Sequence, residues 1–363
     1  MLSILLLSAT CWTAALRLGG LPASRPSPRA RSPASREPTE AGALVALGGS
    51  LARVADERPP APSWRQVGEA WVRLPATTTP WATLHFVGGA GLGVAPQICY
   101  ASLLAGVCER AGVMVIATPY ELATDHTRLA RGVAKAFDAC FLTCSLDGLA
   151  PPASAPVFRL GHSLGAKLLT IASCLSDRTE DALGLLALNN FGVAESAAFS
   201  AKIIAALQGG ERGARTGEQV ASVISLLQSI SVATGNAVEF TPSPQELREM
   251  VQSSHTARNT MLWRFDADDL DCSDALLPAF PPAASVDVTV LRGSHLSPVA
   301  FTIAPTEIDP ILGALLGAQG VQTLSLGDEA VIESIVESVV SWLWPRELKA
   351  PRVLAPAASE EAE

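Results

Sequence analysis

The chain has 363 residues, 48% of them apolar and 17% charged, with 26 Lys and Arg against 35 Asp and Glu. That length admits one large α/β domain or two small ones, and the apolar content excludes a disordered protein. Residues 1–36 hold five Arg and no acid, so the remainder carries 21 basic against 35 acidic side chains, a net charge of −14 that disfavours nucleic acid and anionic membrane surfaces.

Leu2 to Leu7 form an apolar run too short to span a bilayer, which reads as the core of a signal peptide. Behind it Arg17, Arg25, Arg29, Arg31 and Arg36 lie among Pro, Ser and Ala, the composition of a transit peptide. In tandem the two resemble the bipartite presequences of algae whose plastids lie inside extra membranes, so residues 1–36 are expected to direct plastid import. Secretion, with the second stretch a loose linker, is the alternative. Residues 37–62 are Pro-rich and read as a linker, the folded domain is expected over 63–346, and the acidic end at 347–363 reads as a disordered tail. No transmembrane segment is expected in the mature protein.

From Trp64 onward strand and helix signals alternate. Trp71–Leu74 reads as an early strand, Thr83–Val87 as a strand ending in Gly88-Gly89, and Gln97–Arg110 as a helix closed by Gly112. Val113–Ala117 follows as an apolar strand, Thr127–Cys140 as a helix, Val157–Leu160 as a short buried strand and Leu164–Leu175 as a helix. Leu185–Leu188, Met261–Phe265 and Val286–Leu291 supply further strands, and Ala330–Leu343 a last amphipathic helix. Near-continuous apolar strands between helices predict a mostly parallel sheet covered on both faces. The alternation lapses over about 192–259, where runs such as Ala201–Leu207 and Val220–Ile230 predict an inserted helical cap. Of the seven Cys, Cys140 and Cys144 stand at helical i, i+4 positions, too far apart for an unstrained bridge, and no spacing suggests a metal clip, so all read as reduced thiols.

Gly161-His162-Ser163-Leu164-Gly165 has the G-x-S-x-G spacing of a nucleophile elbow, with a strand before it and a helix after it. A serine hydroxyl needs a base within reach and an acid to orient that base. Of the five His, His85 lies inside a strand, His126 near a helix start and His255 in the cap, while His162 adjoins the serine and points elsewhere. His295, just past the last apolar strand, is the expected base. The acid is sought among Asp266, Asp268, Asp269 and Asp271 after Met261–Phe265, with Asp269 ranked first and Asp271 second and the others read as helix caps or a solvated turn. The chain order Ser, Asp, His is that of α/β-hydrolases.

An acyl transition state also needs backbone N–H donors for its oxyanion. Leu164 offers one, and the glycine-rich loop at Gly88, Gly89 and Ala90 offers the other. A dinucleotide loop is the weaker reading, because the glycines fall at 88, 89, 91 and 93 and not in G-x-G-x-x-G register. No cofactor and no metal is required.

Taken together, His85 to Gly93, Ala117-Thr118-Pro119, Gly161 to Lys167, Asn189-Asn190-Phe191, Glu239 to Pro244, the Asp266 to Asp271 cluster and Gly293 to Pro298 resemble an uncharacterised α/β-hydrolase-like family of plants, algae and cyanobacteria. The resemblance spans roughly Trp64 to Phe301. It implies the α/β-hydrolase fold and a photosynthetic setting, and supplies no substrate. The expectation is a serine hydrolase acting on a carboxylic ester or thioester of a small molecule with an apolar acyl group, such as a lipid or pigment. An acyltransferase using the same triad, or a non-catalytic scaffold that binds a small molecule or protein, stands as the alternative. Glu239 to Pro244 reads as a turn, and Asn189 to Phe191 has no assigned role.

Overall fold

Short strands, most of them apolar, assemble into one eight-stranded sheet in the order β1 (Trp64–Val67), β2 (Ala70–Arg73), β4 (Met114–Ala117), β3 (Thr83–Val87), β5 (Val157–His162), β6 (Ala182–Leu186), β7 (Asn259–Phe265) and β8 (Ser285–Leu291). This architecture comes from a computed structural model that describes residues 41–58, 61, 63–176, 182–193, 195–196, 239–257, 259–282, 284–303 and 324–344. The expected presequence, the two cap helices at Ala201–Leu207 and Val220–Ile230, and the acidic tail lie outside the described residues.

β1 and β2 form an antiparallel hairpin, β2 runs antiparallel to β4, and each remaining neighbouring pair in the sheet is parallel. The hairpin needs only Gly68 and Glu69 between its paired ends, and Gly68 takes φ +60°, the positive value that a two-residue turn demands. An antiparallel lead-in, an exchange of β3 and β4, and then parallel strands in sequence make up the α/β-hydrolase fold.

Helices α1 (Ala41–Glu57), α2 (Pro96–Cys99), α3 (Ala101–Ala111), α4 (His126–Leu146), α5 (Leu164–Leu175), α6 (Pro244–Ser254), α7 (Ser273–Leu276) and α8 (Glu329–Leu343) surround the sheet. Strand periodicity decides which face each residue joins. On one side Leu84, Phe86, Ala182, Leu186 and Trp263 pack with Leu103, Leu104 and Val107 of α3 and Ile332, Ile335 and Val339 of α8. On the other, Val87, Leu183, Leu185 and Leu262 meet Ala130 and Val133 of α4, Leu168 and Ile171 of α5, and Leu247 and Val251 of α6. A separate antiparallel pair, β9 (Phe301–Ile303) with β10 (Leu324–Leu326), follows the loop after β8.

One expectation is corrected here. The stretch read as a linker contains α1, whose Leu51 and Val54 are buried in the α3–α8 side of the core. A Cβ on its Gly48 would lie 3.4 Å from the carbonyl oxygen of Gly91, so the helix rests against the glycine-rich loop after β3.

Candidate active site

Five strand ends converge at one edge of the sheet, the carboxyl edge where open α/β sheets place their sites. β5 runs directly into Ser163, which takes φ 55° and ψ −119° and is followed at once by α5. Such a backbone costs about 1–3 kcal/mol, and its neighbours must leave room for it. A Cβ at Gly161 would come within 2.6 Å of Ala166 Cα, and one at Gly165 would overlap the carbonyl oxygens of Val87 and Gly88. Both glycines of the motif are therefore required by contact, and the serine is lifted to the top of the sheet with its N–H donating to Leu186 O at 2.9 Å.

His295 reaches Ser163 from the loop after β8. Its Nε2 lies 2.9 Å from Ser163 Oγ and its Nδ1 lies 2.9 Å from Oδ2 of Asp268. The acid contacting the histidine is thus Asp268, where the sequence had ranked Asp269 first and Asp271 second. The turn after β7 explains the correction. Asp268 N–H donates to Phe265 O at 3.2 Å, folding the chain so that the third residue past the strand turns inward. Its carboxylate is fully buried and also accepts from Leu270 N–H at 2.9 Å, whereas Asp269 is exposed. Asp271 Oδ1 accepts from Ser273 N–H at 2.7 Å at the start of α7, and Asp266 Oδ1 accepts from Gly293 N–H at 2.8 Å. Asp271 thus holds the turn that enters α7 and Asp266 ties the loop after β7 to the loop after β8, and burial raises the Asp271 carboxyl above its ordinary value.

The glycine-rich loop also differs from expectation at one position. Gly89 N–H donates to the hydroxyl of Tyr100 at 2.8 Å, so it is already committed, leaving Gly88, Ala90 and Leu164 as oxyanion-donor candidates. Gly88 is held through its carbonyl, which accepts from Tyr120 Oη at 2.9 Å. His162 does point away from the serine hydroxyl, with Nδ1 2.8 Å from Tyr100 Oη and Nε2 2.8 Å from the backbone oxygen of His295. Burial pushes this imidazole down to about 3.

The remaining histidines are structural. His85 stacks on Phe137 and meets Thr118 Oγ1 at 2.9 Å, with burial holding it well below its ordinary value. His255 ends α6, lying 3.0 Å from Thr260 Oγ1, and is pushed down to about 4. His126, at the first position of α4, stacks on Phe240 at 4.2 Å between ring centroids and falls to about 3. Lys167, one turn beyond the serine, is buried with its Nζ 5.5 Å from the same Phe240 ring, and desolvation lowers it to about 8.

Asn189 to Phe191, which had no assigned role, lies beside the elbow. Asn189 Oδ1 accepts from Phe191 N–H at 3.0 Å while Asn189 N–H reaches Ser163 O at 3.4 Å. Asn190 Nδ2 donates to Pro244 O at 3.1 Å, and Ser243 with Glu246 forms a capping box that starts α6. The expected turn at Glu239 to Pro244 is therefore the entry to a helix that the sequence had left unmarked. Sequence reasoning missed Asp268 as partner of His295, and it missed Tyr100 and Tyr120 altogether. The one available signal for the tyrosines was their rarity, since the chain has only two.

Among solved structures the chain is similar to esterase B from Lactobacillus rhamnosis HN001, with 13% identity over 84% of this chain and 96% of that one and a TM-score of 0.45. It is similar also to FphF, a fluorophosphonate-binding serine hydrolase of Staphylococcus aureus, with 11% identity over 78% and 95% of the two chains and a TM-score of 0.43. Carboxyl esterase 2 from the fungus Tuber melanosporum gives 15% identity, 82% and 99% coverage and a TM-score of 0.42. No curated protein matches the sequence. Residues 63–309 match the family described as a protein of unknown function, DUF1350, which takes in every strand of the main sheet and each residue of the Ser163, His295 and Asp268 constellation. The chain belongs to the DUF1350 family.

Proposed function

We propose that the protein is a serine hydrolase that cleaves a carboxylic ester or thioester through an acyl-enzyme on Ser163. The observation that carries this is the unbroken line from Ser163 Oγ to His295 Nε2 and from His295 Nδ1 to Asp268, 2.9 Å at each link. An ionised carboxylate can only accept, so Nδ1 bears the imidazole proton and Nε2 is left to accept from the serine hydroxyl. As Oγ attacks the acyl carbon, its proton passes to Nε2, and the buried Asp268 stabilises the imidazolium. That proton then goes to the departing alkoxide or thiolate as its bond to the acyl carbon breaks. Water repeats the sequence: it gives a proton to Nε2, adds to the acyl carbon, and releases the acid as Ser163 recovers its proton.

Negative charge on the carbonyl oxygen falls to the N–H of Leu164, the first residue of α5, and to that of Gly88 or Ala90 in the glycine-rich loop. The helix N-terminus adds its partial positive charge there, and one such donor is worth about 10²–10³ in rate. The substrate is expected to carry an apolar acyl group, of the lipid or pigment kind.

A fluorophosphonate probe tests the nucleophile. The full chain is expected to form a covalent adduct at Ser163, and Ser163→Ala is expected to abolish it. Labelling that survives this substitution, or a wild-type protein that takes no label, overturns the assignment. A panel of esters and thioesters of graded chain length then identifies the acyl group.

A further inference from the structure

We infer that Tyr100 and His162 form a positioning relay that locks the oxyanion loop and the loop of the general base into one rigid unit around Ser163. The inference rests on the reading of Ser163 as nucleophile and goes beyond it, because neither residue belongs to the triad.

The direction of every link follows from donor chemistry. Gly89 N–H can only donate, so Tyr100 Oη accepts at that end, 2.8 Å away. The single proton of the tyrosine is then free for His162 Nδ1, also at 2.8 Å. With Nδ1 an acceptor, the neutral imidazole carries its proton on Nε2, which faces the backbone oxygen of His295 at 2.8 Å. That carbonyl can only accept. The chain therefore runs Gly89 N–H to Tyr100 O–H to His162 N–H to His295 C=O, each group used once and none left over. Its two ends are the glycine loop next to Ser163 and the main chain of the residue whose imidazole touches Ser163 Oγ.

The packing gives the relay no slack. Tyr100 and His162 are buried, and a Cβ placed on Gly89 would lie 3.1 Å from His162 Nδ1, 3.2 Å from Ser163 Cβ and 3.3 Å from Tyr100 Oη. Gly89, Tyr100, His162 and Ser163 thus close around a single point. Burial keeps both side chains in the form the relay needs, with the phenol held well above its ordinary value and the imidazole held neutral. Tyr120 grips the same loop one residue earlier through Gly88 O, so both tyrosines of the chain are committed to it. A displaced backbone donor or base lowers the rate without changing which atoms bind substrate, so the relay is expected to act on kcat more than on KM.

Tyr100→Phe and His162→Gln both break the link between the two side chains, while glutamine keeps a donor near the His295 carbonyl. Each single variant of the full chain is expected to lower kcat on a 4-nitrophenyl ester by about tenfold or more with KM within about twofold. Turnover is counted per serine titrated with fluorophosphonate, so unfolded protein drops out of the comparison. The double variant is expected to lose no more than the worse single, because the same link is already gone. Losses that multiply in the double variant, or single variants with wild-type kcat per labelled serine, overturn the relay and leave the nucleophile standing. A wild-type Ser163 that takes no label overturns the nucleophile, and the relay with it.

Discussion

The decisive choice at the residue scale is which carboxylate faces His295. Asp268 lies at the inward position of a turn closed by its own N–H, and its second oxygen is held by Leu270. Spacing alone cannot select it, because four aspartates fall within six residues and the turn's closing hydrogen bond is invisible in sequence. The serine and the histidine were legible for a different reason. Ser163 follows β5 directly and His295 lies four residues past β8, so the end of a strand sets the place of each. Asp268→Asn is expected to lower kcat by about 10³-fold or more, since the amide favours the wrong imidazole tautomer. Asp269→Asn is expected to stay within about twofold of wild type. Steady-state kinetics on any ester the protein accepts will decide, and a larger loss at Asp269 would return the acid to that position.

Among the elements, those with an unmixed pattern are the ones the sequence placed well. Thr83–Val87 and Leu164–Leu175 coincide with β3 and α5, both mostly apolar and almost entirely buried, the first ending at Gly88 and the second starting at the elbow. β6 was displaced: the apolar run at Leu185–Leu188 reads as a strand, but Ala187 takes φ 47° and ends it, so the strand lies at Ala182–Leu186. α1 was lost in its surroundings. Prolines at 59, 60 and 62 and two central glycines give the stretch the composition of a linker, and Gly48 lies against Gly91, a contact made far away in sequence. Leu51 discriminates between helix and linker. Leu51→Ala is expected to destabilise the protein by about 2–5 kcal/mol, the cost of a cavity in a packed core, and urea unfolding measures it. A change under about 0.5 kcal/mol would mark the segment as a linker after all.

For the molecule as a whole, the buried histidines set the response to acid. Burial lowers His126 and His162 to about 3 and His255 to about 4, and it lowers His85 as well. In the unfolded chain these groups protonate near the ordinary value of about 6.5. Between about 4 and 6.5 unfolding therefore takes up protons, and stability falls as the pH drops through that window. At its steepest one such histidine contributes at most about 1.4 kcal/mol per pH unit. The midpoint of urea unfolding is expected to fall steeply from pH 7 toward pH 5. A level midpoint down to pH 5 would contradict this, and would mean that these imidazoles are protonated in the folded state.

The separation of the serine from its base has a consequence in time. Ser163 and His295 are 132 positions apart, and β6, β7 and β8 all lie between them. At a synthesis rate of roughly 5–20 residues per second, the serine leaves the ribosome about 7–26 s before the histidine proposed to activate it. On the proposed mechanism the nascent chain holds through that interval a serine no more reactive than any other, and catalysis begins only once the last strand of the sheet is in place.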